Sequence, residues 1–157
     1  MDIDVFYSKD IERDLKILLS HHRHHVSLGQ KEDDILNSVF VGSLIKGRLF
    51  LDMLGIKAKK GGLDFEVNKG GDINAVKLNA RFATRSDLLP GEEQMLQDFL
   101  TSVNSAEAHR DGYQQNNDSI IHKSIETILR LVNVCLFQST GRTINYHYAR
   151  RLLRHCL

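Results

Sequence analysis

Five consecutive residues, His21-His22-Arg23-His24-His25, hold half of the chain's histidines. On a helix, residues three and four apart share a face, so His21 with His25, or His22 with His25, would present two imidazoles to a zinc or nickel ion. A metal site needs further ligands, which Glu32, Asp33 or Asp34 would supply only if the chain folded back after the cluster. Without them, imidazoles near a helix C-terminus interact with its free carbonyls and stay solvated. A second set combines an arginine, a carboxylate and a histidine. Arg48 and Asp52 lie one turn apart in a strongly apolar stretch, and His109 extends the apolar stripe of a later helix. Facing one another across antiparallel helices, the three could bind a phosphate or move a proton, whereas a closed cluster would fix helix register. With the cation N-terminal to the anion, Arg48 and Asp52 have the weaker order for a simple helical pair, so their interest is position.

The C-terminal stretch twice sets four residues between an arginine and a histidine, Arg142 to His147 and Arg150 to His155, about as often as this composition gives by chance. Arg142, Arg150, Arg151, Arg154 and His155, with Tyr146 and Tyr148, form a candidate strip for the phosphates of a nucleic acid, and a solvated basic face is the alternative. Gly61-Gly62 and Gly70-Gly71 lack the setting and the lysine-serine ending of a phosphate loop and read as turns. No local motif marks Ser-His-Asp or Cys-His catalysis, and no cofactor is expected. Cys135 falls in an apolar helical pattern and Cys156 is penultimate.

Helices must hold these groups. Ser8 can cap a first helix running to about Leu28, with Ile11, Leu15, Leu18, Leu19 and Val26 on one face and Gly29 to stop it. From Asp34 to Ile56 apolar residues fall on nearly every side, which implies a helix enclosed by others. Burying an unpaired ion is costly, so Arg48 and Asp52 would there be paired, at a rim, or part of a site. Gly42 and Gly47 each cost about 0.5 to 1 kcal/mol relative to alanine inside a helix, which a close neighbour would explain. From about residue 57 to 88 the period breaks. Leu63, Phe65 and Val67 alternate between the glycine pairs, suggesting a hairpin or an irregular excursion, and Ile73, Val76, Leu78 and Phe82 fit either a strand or a short helix.

Helicity resumes at Pro90, with Glu92 and Glu93 in the first turn and a stripe of Met95, Leu96, Phe99, Leu100, Val103 and Ala106. The next helix is capped near Asp118 or Ser119, carries Ile121, Ile125, Ile128, Leu129 and Val132 inward, and ends at Ser139-Thr140-Gly141. A last one, from Thr143, turns Ile144, Tyr148, Leu152 and Leu153 inward and Arg150, Arg151 and Arg154 outward. The pattern predicts one all-α domain over 1–157, an antiparallel four-helix-type bundle with a short C-terminal helix.

Composition narrows the classes. The 157 residues carry 21 basic and 20 acidic side chains, so no global field draws nucleic acid or an anionic membrane. Two cysteines exclude a disulfide framework. The acidic start has no secretory pattern and no apolar run reaches membrane-spanning length, so a cytoplasmic protein is expected, without membrane contact.

The helix Ser43-Leu44-Ile45-Lys46-Gly47-Arg48-Leu49-Phe50-Leu51-Asp52-Met53-Leu54, the excursion after it, and the helix ending Val103-Asn104-Ser105-Ala106-Glu107-Ala108-His109 resemble the HEPN-like helical-bundle proteins of bacteria, over about half the chain. In that group an inward arginine on one helix and an Ala-His pair closing another recur. The resemblance implies a cytoplasmic, often dimeric bundle in a group that includes ribonucleases of toxin and defence systems beside many members without known activity. Their ribonuclease motif has a polar residue after the arginine and a histidine four to six residues on; here Thr143 or Arg151 follows the arginine, at the C-terminus. Two functions are therefore expected. The first is a non-catalytic module for self-association or protein binding, as a homodimer or with a protein partner, in which Arg48, Asp52 and His109 form an internal polar cluster. The alternative is a nucleic-acid-associated protein or ribonuclease, with RNA as partner, using His109 or the Arg150 to His155 pair.

Overall fold

Asp2, rather than Ser8, starts the first helix: its side chain accepts the backbone N–H groups of Asp4 and Val5 at 3.0 and 3.2 Å. A carboxylate two residues from the chain start reaches the free N–H groups, and Ser8 then lies inside the helix, donating back to the Val5 carbonyl. The computed structural model describes residues 1–25, 33–68, 73–104 and 118–155, and excludes the side chains of residues 33–37 and of His25, Asn104 and Asp118.

Helix α1 comprises Ile3–Val5, a π-helical turn Phe6–Ile11 and Glu12–Leu18. It breaks at Leu19, and α2, Ser20–His25, follows. The break is held by side chains: Ser20 Oγ donates to the Ile17 carbonyl at 2.6 Å, and the buried Ser43 hydroxyl lies 3.1 Å from the same oxygen while accepting the His21 N–H at 3.3 Å. One continuous helix to Leu28 is thus corrected to two as far as His25, and the remainder of that expectation lies outside the described residues.

The long helix α3, Asp33–Met53, buries Ser43, Leu44, Gly47, Phe50 and Leu51. It is not enclosed on every side, as its sequence suggests. Ile45 and Leu49 are 43% and 46% exposed, and Arg48 is exposed beside them. Neighbours cover only one arc of a helix, and this one carries more apolar residues than its covered arc can take. Gly47 marks the close approach. A Cβ there would lie 2.6 Å from Phe99 Cζ and 3.3 Å from Ile128 Cδ1, whereas at Gly42 it would meet Ile17 at an ordinary 3.4 Å.

The excursion forms a small antiparallel hairpin, β1 Lys57–Lys59 with β2 Gly62–Asp64, pairing Ala58 with Leu63. Two single 3-10 turns, Val76–Leu78 and Arg85–Asp87, complete it. Backbone bonds from Ala75 to the Met53 carbonyl and from Ala83 to the Leu54 carbonyl fasten it to the end of α3.

Helix α4 is Glu92–Asn104, and α5, Asp118–Val132, continues through a π-helical turn, Asn133–Phe137, to a left-handed Gly141. Helix α6 is His147–His155. α1 and α2 pack on α3, while α5 packs on α3, α4 and α6. The two π-turns meet: the Tyr7 ring lies edge-on to Phe137 at 5.3 Å, and its hydroxyl donates to the Leu136 carbonyl at 2.9 Å. The protein is therefore mostly helical with one small two-stranded sheet among the described residues, as the periodicity indicates. No described helix is long and apolar enough to cross a membrane.

Candidate functional site

On α2, His21 and His22 face α5 and α6. His21 is 1% exposed; its Nδ1 lies 3.3 Å from Nε2 of His122, and its ring packs edge-on against Phe40 and His122 at 5.1 and 5.2 Å. His22 sits between three groups. Its Nδ1 is 2.8 Å from the Tyr148 hydroxyl, its Nε2 is 3.1 Å from Glu126 Oε1, and its ring is 4.9 Å from that of His122. His122 and Glu126 are four residues apart on α5, which places both on the face that meets α2.

The chemistry of these groups sets their roles. A carboxylate only accepts, so neutral His22 carries its hydrogen on Nε2 and receives the Tyr148 O–H on Nδ1. Glu126, His22 and Tyr148 form a chain able to hold and pass a proton. Burial pushes the Tyr148 hydroxyl above its ordinary pKa, opposed by the positive charges of Arg151, whose guanidinium lies 5.1 Å over the ring, and of Arg23.

The sequence-derived sites fare differently. His21 hydrogen-bonds with His122, and His22 with Glu126 and Tyr148; no three His, Cys, Asp or Glu side chains converge as metal ligands among the described residues. The side chain of His25 is outside them. Arg48 stands on the exposed face of α3, and the half-buried Asp52 pairs with Lys57 at 3.1 Å, so neither lies in the interior predicted for them. His109, the third member of that cluster, lies outside the described residues. Among the C-terminal cations Arg142 is drawn away from the strip: it pairs with Asp4 and stacks 4.5 Å over the Tyr7 ring. Arg150, Arg151, Arg154 and His155 are exposed on α6.

A pocket of about 400 Å³ lies beside this helix end, lined by Pro90, Met95, Lys123, Glu126, Arg130 and His155 among others. Arg130 is already engaged, donating to the Asp87 carbonyl at 2.9 Å and to the Glu92 carboxylate, which also accepts from Thr127. Sequence reading finds neither His122 nor Glu126. Their spacing is visible, but their partners lie about 100 residues away in sequence. No protein-family model, curated protein or solved structure matches the chain.

Proposed function

We propose that the protein is a non-catalytic, cytoplasmic helical-bundle module that self-associates through the outer face of α3. The carrying observation is the exposure of Ile45 and Leu49, one turn apart at 43% and 46%, on a stripe that the half-buried Val41 and Met53 extend. Large apolar side chains repeated along one face of a helix favour association with another apolar surface. Arg48 and Asp52 flank the stripe on one side. In an isologous pair the same patch meets itself, so two antiparallel α3 helices bring these flanks together, with Arg48 of each copy beside Asp52 of the other. This self-complementarity favours a second copy of the chain. The apolar stripe supplies the affinity, while rim charges worth about 0 to 1 kcal/mol per pair set the register.

Light scattering coupled to size exclusion tests the reading. A dimer is expected at micromolar concentrations, and Leu49→Arg is expected to give a folded monomer. A wild type that stays monomeric at about 100 μM would remove the reading.

The exposed Arg150, Arg151, Arg154 and His155 on one nine-residue helix favour a second reading, an RNA-associated protein of the HEPN-like kind. Binding to a single-stranded oligoribonucleotide should then weaken steeply with salt, and Arg150→Ala with Arg154→Ala should flatten the slope.

A further inference from the structure

We infer that the pocket between α4, α5 and α6 binds the zwitterion of a free apolar α-amino acid, with its ammonium on Glu126 and its carboxylate on Lys123. The inference is independent of self-association, because none of these residues lies on α3. At about 400 Å³ the cavity falls within the range of small-molecule sites, about 300 to 1,000 Å³.

One pair of its charges is already committed. The Glu92 carboxylate accepts from the Leu89 N–H at 2.7 Å, the Thr127 hydroxyl at 2.9 Å and the Arg130 guanidinium, which gives a further N–H to the Asp87 carbonyl. With their side chains 13% and 14% exposed, Arg130 and Glu92 form a fixed, electrically balanced part of the wall. The second pair is open. Glu126 meets His22 through Oε1 at 3.1 Å, so Oε2 can still accept, and its side chain is 35% exposed. Lys123, exposed three residues earlier on the same face of α5, has no ion pair among the described residues.

These charges select the ligand. Lysine and arginine balance two glutamates in the wall, so the cavity draws neither a simple anion nor a simple cation. An α-amino acid carries an ammonium and a carboxylate on one carbon and satisfies both open groups, and exposed His155 at the mouth adds a second donor for the carboxylate. Leu89, Pro90 and Met95 then receive the side chain, whose removal from water supplies affinity. The acceptor is held in advance: His22, whose Nδ1 lies 2.8 Å from the Tyr148 hydroxyl, fixes Glu126 before any ligand arrives, which lowers the ordering cost of binding.

Amide NMR shifts of the whole chain, titrated with L-leucine, L-methionine and L-phenylalanine, test the site. At least one should move amides of residues 89–95 and 123–130 with a Kd of about 1 mM or below. The deaminated and the decarboxylated analogues of the tightest binder should each bind at least about tenfold more weakly, since each leaves one charge of the wall unanswered. Lys123→Ala should bring the amino acid down to the affinity of its amine analogue. Glu126→Gln, which keeps an oxygen for His22, should bring it down to that of its acid analogue. No localised shift from any of the three at about 20 mM, an analogue that binds as well as its parent, or variants that bind the amino acid unchanged would overturn the inference.

Discussion

The carboxylate of Glu12 accepts the backbone N–H of Asn145, 133 residues away along the chain, at 2.5 Å, and that of Tyr146 at 3.1 Å. Glu12 is only 6% exposed, and its charge meets the positive end of α6. An N-terminal helix thus caps the C-terminal one. Glu12→Ala should leave two part-buried donors without their acceptor and cost about 2 to 4 kcal/mol in urea unfolding, with loss of α6 protection first. Glu12→Gln, which keeps one acceptor oxygen and loses the charge, should cost less.

Gly47 and Gly42 form a matched pair on α3. Alanine is the better helix former by about 1 kcal/mol at either position, but at Gly47 its Cβ would lie 2.6 Å from the buried Phe99 ring. Gly47→Ala should therefore destabilise by about 1 to 3 kcal/mol through overpacking. Gly42→Ala should be neutral or stabilise by up to about 1 kcal/mol. Thermal unfolding of the two variants checks the opposite signs.

Arg81 grips Asp87 with two hydrogen bonds of 2.7 and 2.8 Å, and Thr84 adds a capping-box bond, so the Asp87 carboxyl is held well below the usual carboxylate range. A depressed folded value contributes stability that is present above the unfolded value of about 3.9 and is lost as pH falls below it. Asp87→Asn should lower stability at pH 7 and shrink the wild type's loss between about pH 4 and pH 2. Urea unfolding of the two proteins across that range checks the prediction.

The core of this fold is legible in its sequence, because Ile121, Ile125, Ile128, Leu129 and Val132 keep a helical period and all are buried. The α6 faces follow the same rule, with Leu153 inside and Arg150, Arg151 and Arg154 outside. What is not legible depends on partners distant in sequence. At the break at Leu19, the hydroxyl of Ser43 joins the Ile17 carbonyl and the His21 N–H. Read along one helix, His21 with His25, or His22 with His25, are candidate ligands, and the contacts of His21 and His22 to α5 and α6 are not visible. The uncovered arc of α3 is hidden for a related reason: apolar composition shows that a helix can be buried, and only the placement of neighbours decides which side is.

The most direct measurement of the proposed self-association is a charge-reversal cycle on the outer face of α3, followed by sedimentation velocity. If an isologous pair sets Arg48 of each copy beside Asp52 of the other, Arg48→Asp and Asp52→Arg should each weaken the wild-type dimer, and the double reversal should restore most of it. A monomeric wild type, or single reversals that leave its dimer unchanged, would contradict the account.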